Sequence, residues 1–166
     1  MNTTCDGTPC LGSLIPQMAK KYPNKQVAFA MSSSFSPYMT TSNGKVNVLC
    51  GGMINMNTQK EGIFLLSINA SMQTSVKISV KNEKIYASVD DMSLKMHVVK
   101  SNVGQLNDEG LNFIANTAII SFVKPNLNKL GAKGIPLPVT NEVHFVNTII
   151  TLDKETLMIG TDLKYH

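Results

Sequence analysis

Between residues 25 and 101 apolar side chains recur at every second position, and this period constrains the chain more than any other feature. Successive strand residues point to opposite faces, so a period of two builds one apolar and one wet surface. Phe64, Leu66, Ile68, Ala70 and Met72 fall on one face, with Ser67, Asn69 and Ser71 on the other. Val76, Ile78 and Val80 then alternate with Ser75, Lys77, Ser79 and Lys81. After a turn at Asn82-Glu83 the inward set is Ile85, Ala87 and Val89; past Asp90-Asp91 it becomes Met92, Leu94, Met96 and Val98. A change of parity predicts a bulge there. Upstream, Val27, Phe29 and Met31 alternate with Gln26, Ala28 and Ala30. Asn43-Gly44 is a tight-turn dipeptide. Gly51-Gly52 interrupts a strand over 45–57 and predicts a bulge or a sharp bend.

Helical spacing brackets this block. Thr8-Pro9 reads as a helix start, with a capping hydroxyl before proline at the first helical position. Leu11, Leu14, Ile15, Met18 and Tyr22 follow at helical intervals until Pro23-Asn24. A second, longer helix is predicted from Asn107 or Asp108, where two acids suit the positive helix end, to about Leu130. Leu111, Ile114, Ala115, Ala118, Ile119, Phe122, Leu127 and Leu130 give it a broad apolar face. Pro125 should kink it and Gly131 stop it. Two strands, 142–152 and 155–165, close the chain around Asp153-Lys154. The pattern is α+β: an antiparallel meander with one short and one long helix, whose apolar face calls for a curved sheet to receive it.

Composition narrows the function. With 43% hydrophobic and 16% charged residues the chain is globular. No apolar run reaches the ~18 residues of a membrane-spanning helix. The polar start has no signal-peptide core, so any secretion signal is expected upstream of Met1. The net charge of +4 comes from scattered lysines without one arginine. Nucleic-acid readers concentrate charge and use arginine forks, so no nucleic-acid partner is expected, whereas contact with an anionic lipid surface is compatible with this charge. Cys5 and Cys10 are close enough for a small-loop disulfide in an oxidising compartment, leaving Cys50 over. Cysteine and histidine spacing fits no metal, and no cofactor fingerprint is present. Asn2-Thr3-Thr4 and Asn69-Ala70-Ser71 are glycosylation sequons, with Asn69 on the wet strand face.

Several ordered segments carry a family resemblance. Gly12-Ser13-Leu14-Ile15-Pro16 and Ala19-Lys20-Lys21-Tyr22-Pro23-Asn24 come first; Leu94-Lys95 and Lys100-Ser101-Asn102-Val103-Gly104 follow. Pro125 and Asn128, then Lys133-Gly134-Ile135-Pro136-Leu137-Pro138, precede a closing stretch with Gly160 and Asp162. Together they resemble the C-terminal domain of the bactericidal/permeability-increasing, lipopolysaccharide-binding, phospholipid-transfer and cholesteryl-ester-transfer proteins. The resemblance implies one domain over 1–166, a highly twisted antiparallel sheet wrapped around a long kinked helix, half of a boomerang-shaped molecule. It implies a secreted, extracellular, non-enzymatic protein. Phospholipid or lipopolysaccharide acyl chains would lie in an apolar cleft between sheet and helices, in lipid transfer or antibacterial defence. The family's N-terminal barrel, against which this domain would pack, has no counterpart here. Some leading strands of the C-terminal barrel are also missing, so the sheet is expected to have an unpaired edge.

On this basis the cleft is expected to be lined by Leu14, Met18, Phe64, Leu66, Ile68, Met92, Leu94, Ile114, Ala118 and Phe122. By periodicity alone each of these is an ordinary core position. The competing reading is a structural or interaction module with a packed core and no ligand. A hydrolase, a third reading, would show a Ser or Asp within reach of His97 or His144; no nucleophile motif supports it, and no catalytic residue is assigned.

Overall fold

The computed structural model describes residues 1–7, 10–137, 143–153 and 156–165. Thr8-Pro9, Lys154, Pro138 and His166 lie outside them. The elements are a 3₁₀ turn, Leu11–Ser13; α1, Pro16–Lys21; β1, Val27–Ser33; β2, Tyr38–Ser42; β3, Lys45–Thr58; β4, Phe64–Lys81; and β5, Lys84–Ser101. A 24-residue helix follows, formed by α2, Asp108–Ala118, a π turn, Ile119–Val123, and α3, Lys124–Gly131; then come β6, Ile135–Pro136, β7, Val143–Asp153, and β8, Thr156–Tyr165. The expected α+β architecture is present: a strongly curled antiparallel sheet and a long helix. The sheet runs β1-β3-β4-β5-β6 with β2 also on β3, and β7-β8 form a separate hairpin.

The chain divides into two compact units. One comprises Met1–Ser36, Cys50–Met72 and Leu94–Thr117; the other Pro37–Leu49, Gln73–Ser93 and Ala118–His166. In the first, Leu11, Ile15, Met18, Val27, Met56, Leu65, Leu66, Ile68 and Val103 form the core. Leu65 and Leu66 are both fully buried, so β4 is covered on both faces there. Asn69 is exposed, as the alternation predicts. The same unit holds the Cys5–Cys10 disulfide, its Cα atoms 5.2 Å apart.

Turn chemistry follows the sequence closely. Asn43 and Gly44 have φ of 52° and 69°, and Asn82 and Glu83 have 49° and 58°. Two consecutive positive φ values match the right-handed twist of a two-residue hairpin. At Gly51-Gly52, β3 changes partner: Lys45–Leu49 pair with β2 and Gly52–Thr58 with β1. A Cβ on Gly52 would stand 2.3 Å from the Ser32 carbonyl oxygen, so close backbone approach requires glycine. The inward set of β5 changes parity at Asp90-Asp91, with Ser88 exposed before it and Lys95, His97 and Val99 exposed after it.

The first helix departs from expectation. Leu11–Ser13 is a 3₁₀ turn, and the α-helix starts only at Pro16. Pro16 disfavours the helical conformation of the residue before it, and Ile15 sits at φ −130°, ψ 81°. The long helix starts as expected, Asn107 Oδ1 accepting the Gly110 N–H at 3.1 Å. Near Pro125 it widens into the π turn, because proline removes one helical donor and crowds the preceding turn.

Candidate functional site

The long helix meets the sheet through polar side chains. In the first unit, Asn116 accepts the Leu94 N–H at 2.9 Å and donates to the Leu94 carbonyl at 2.7 Å. Asn112 does the same at Met96, at 2.7 and 2.9 Å. Asp108 accepts the Val98 N–H at 3.1 Å. In the second unit, Asn128 Oδ1 accepts the Val89 N–H at 2.6 Å and Lys124 donates to the Asp90 carbonyl at 2.7 Å. Each asparagine amide stands in for a peptide group of a missing strand, so the outer edge of β5 is hydrogen-bonded without one. The stripe Asp108, Asn112, Asn116, Lys124, Asn128 is spaced in fours and eights. Steps of four drift by about 40° each around a 3.6-residue helix. The π turn, with its extra residue, takes up part of that drift.

This arrangement corrects the expected helix packing. The strand edge claims the polar stripe, and no residue of α2, the π turn or α3 is fully buried; Leu111 is partly buried against the first unit's core, while Phe113, Ile120 and Phe122 are exposed. Unpaired peptide groups at the edge are costly, and that need outranks covering the helix's apolar face. Sequence reasoning missed the stripe. Its signal was asparagine, a weak helix former, recurring at 112, 116 and 128 inside a helix.

The cleft candidates separate into distinct environments. Met18, Leu66 and Ile68 are packed into the first unit's core. Met92 is buried in the second. Phe64 is half-buried beneath the Lys100 ammonium, 5.4 Å from the ring centroid, and Leu94 is the half-buried partner of Asn116. Ala118 and Phe122 are exposed in the second unit. Leu14 and Ile114 come together. With Pro16, Gln17, Leu106, Asn107, Gly110 and Leu111 they line a groove of about 160 Å³ between the 3₁₀–α1 segment and the start of α2. Leu106 is an apolar lining residue that periodicity missed, because it lies in the connector before the helix.

Leu106 and Asn107 also border a second, more open depression of about 870 Å³, lined by His97, Val98, Ser101, Gly104, Gln105, Asp108 and Glu109. An apolar slot thus shares its lip with a polar basin. His97 Nδ1 lies 2.6 Å from Asp108 Oδ2, which is the pairing a hydrolase would show. Asp108 is committed elsewhere: the Val98 N–H first, and His97 second, hold its carboxyl below the usual range. The Ser101 hydroxyl in the same basin donates to the Gly104 carbonyl at 2.6 Å, away from His97. His144 meets Glu83 at 3.2 Å; Glu83 also accepts the Phe145 N–H. Among the described residues no helix is long and apolar enough to cross a membrane.

A family model described as the LBP / BPI / CETP family, C-terminal domain, matches residues 1–165. The chain belongs to this family. Among its relatives, a bactericidal permeability-increasing protein from Sebastes schlegelii is 28% identical over 163 residues, 95% of this chain and 34% of that protein. A lipopolysaccharide-binding protein from Bos taurus is 24% identical over 163 residues, with the same shares of each. A crystal structure of lipopolysaccharide binding protein superposes with a TM-score of 0.69 at 18% identity, covering 90% of this chain and 34% of that one, which shows the shared fold. The chain therefore spans about a third of the length of these LBP / BPI / CETP relatives.

Proposed function

We propose that this LBP / BPI / CETP domain binds lipid, holding an acyl segment of a phospholipid or lipopolysaccharide in the Leu14–Leu106–Leu111–Ile114 groove. The observation that carries the reading is the shared lip: an apolar slot opens beside a polar basin, which suits an amphiphile with its uncharged glycerol and ester groups by Ser101 and Gln105. The family consists of non-enzymatic lipid-binding proteins, and the groups that could serve His97 in catalysis are held by other partners, Asp108 by the Val98 N–H and Ser101 by the Gly104 carbonyl. The groove is smaller than the ~300–1,000 Å³ of small-molecule pockets, so it suits part of one chain, not two whole chains. About five buried methylenes would contribute roughly 4 kcal/mol. The Cys5–Cys10 disulfide and the exposed sequon at Asn69 support an extracellular setting. A preceding barrel, as the relatives' greater length suggests, would supply further lipid-contacting surface.

The test is lipid retention. The purified chain is delipidated, refolded with labelled phospholipid, separated from vesicles and extracted. Stoichiometric retention by the wild type and its loss in Ile114→Asp, with an unchanged thermal melt, is the expected result. No retained lipid sinks the reading. It would favour the second one, an interaction module without ligand, to which the closed core around Met18, Leu65 and Leu66 already points.

A further inference from the structure

We propose, building on the acyl-binding reading of the same groove, that Gly110 keeps the slot open and fits it to a single unbranched acyl segment. Gly110 lines the groove together with Leu14, Leu106, Leu111 and Ile114. It lies one turn before Ile114, on the side of α2 that borders the slot. Glycine is the poorest helix former after proline. The third helical position is also where a glutamate or glutamine commonly reaches back to the cap. Gly110 stands at that position, its N–H donating to the cap Asn107. The chain therefore gives up helix stability at this residue.

The fold does not require glycine there. Elsewhere a reason is visible: Gly44 and Gly104 have φ of 69° and 120°, and a Cβ on Gly12 would stand 2.3 Å from the Thr3 carbonyl oxygen. Gly110 has a helical backbone, and a Cβ on it would meet no atom within 4 Å. Among the described glycines it alone has neither a positive φ nor such a neighbour. The space that a side chain would take is therefore groove. In a helix the Cα–Cβ bond tilts toward the N-terminus, so an added side chain would lie over Asn107 and Leu106. These two residues form the lip between slot and basin, where a chain leaves the apolar part. The slot holds about 160 Å³, well below the ~300–1,000 Å³ of small-molecule pockets, so one straight chain fits and a ring-bearing tail does not.

The experiment measures retention of labelled phosphatidylcholine by the full chain, delipidated and refolded, together with urea midpoints, for the wild type, Gly110→Ala and Gly110→Leu. One displaced methylene weakens the hold about four-fold. Gly110→Ala should lose about that much, and Gly110→Leu, displacing about three, nearly all. Both variants should unfold at higher urea, since alanine and leucine are better helix formers. Binding and stability then move in opposite directions, which a purely structural glycine would not produce. Where Gly110→Leu does not fold, the four-fold loss in Gly110→Ala decides. Asn126→Leu adds the same bulk on α3, outside the groove lining, and should retain lipid as the wild type does; an equal loss there overturns the proposal. A lower urea midpoint in Gly110→Ala also overturns it, because the fold then needs the glycine. Palmitate should compete with the labelled lipid, and equal competition by cholesterol overturns the fit to a single chain. Wild-type retention in Gly110→Leu, with Ile114→Asp empty, overturns the role of Gly110 and leaves the acyl-binding reading standing. No retention by the wild type sinks both.

Discussion

Asn116→Ala tests how the helix is attached. The substitution deletes both bonds to Leu94, leaving a half-buried peptide N–H and carbonyl at the edge of β5. Each such bond is worth about 0.5–1.5 kcal/mol net, and more when a partner is left unsatisfied. Alanine is the better helix former by up to about 0.7 kcal/mol, which offsets part of the loss. The expected change is a destabilisation of about 1–2 kcal/mol, read as a lower urea midpoint at constant slope. Asn126→Ala is the control: Asn126 is exposed and donates to the Phe122 carbonyl of its own helix, with no bond to the sheet among the described residues, so the substitution should be neutral or slightly stabilising. Amide exchange supplies the local readout, with the Leu94 N–H losing protection in Asn116→Ala while amides near the disulfide do not change. Equal stability of the two variants, with Leu94 still protected, would refute the claim that asparagine amides replace a strand.

Other outcomes follow from single positions. Gly52→Ala drives a Cβ into the Ser32 carbonyl and should cost about 1–3 kcal/mol in urea titrations, whereas Gly110→Ala meets nothing within 4 Å and should gain up to about 1 kcal/mol. Lys45, and then Lys77, hold the Asp90 carboxyl down at about 2 from a usual 3.8. A depressed folded value means that the ionised carboxylate stabilises the fold above the unfolded pKa and that this is lost as pH falls from about 3.8 towards about 2. Asp90→Asn should therefore flatten the pH dependence of the urea midpoint in that window; an unchanged profile would show that the pair contributes nothing. Expressed through a secretory pathway, the chain should carry a glycan at Asn69 that disappears in Asn69→Gln, as intact mass would show.

The sequence by itself determined the strands, the turns and the class of fold. Alternation needs only neighbouring residues, and Asn43-Gly44 and Asn82-Glu83 carry their turn geometry locally. It also placed Asn69 on the wet face and the parity change at Asp90-Asp91. Periodicity reports that Leu14, Met18, Leu66 and Ile114 are apolar, but not which of them meet an open slot; the packing of the 3₁₀–α1 segment put Met18 and Leu66 inside and left Leu14 and Ile114 on the groove. The orientation of the long helix was likewise a tertiary decision. Hydrophobicity alone would turn its apolar side inward, yet the unpaired peptide groups of β5 are visible only once the sheet exists, and they draw the asparagine side of the helix to them.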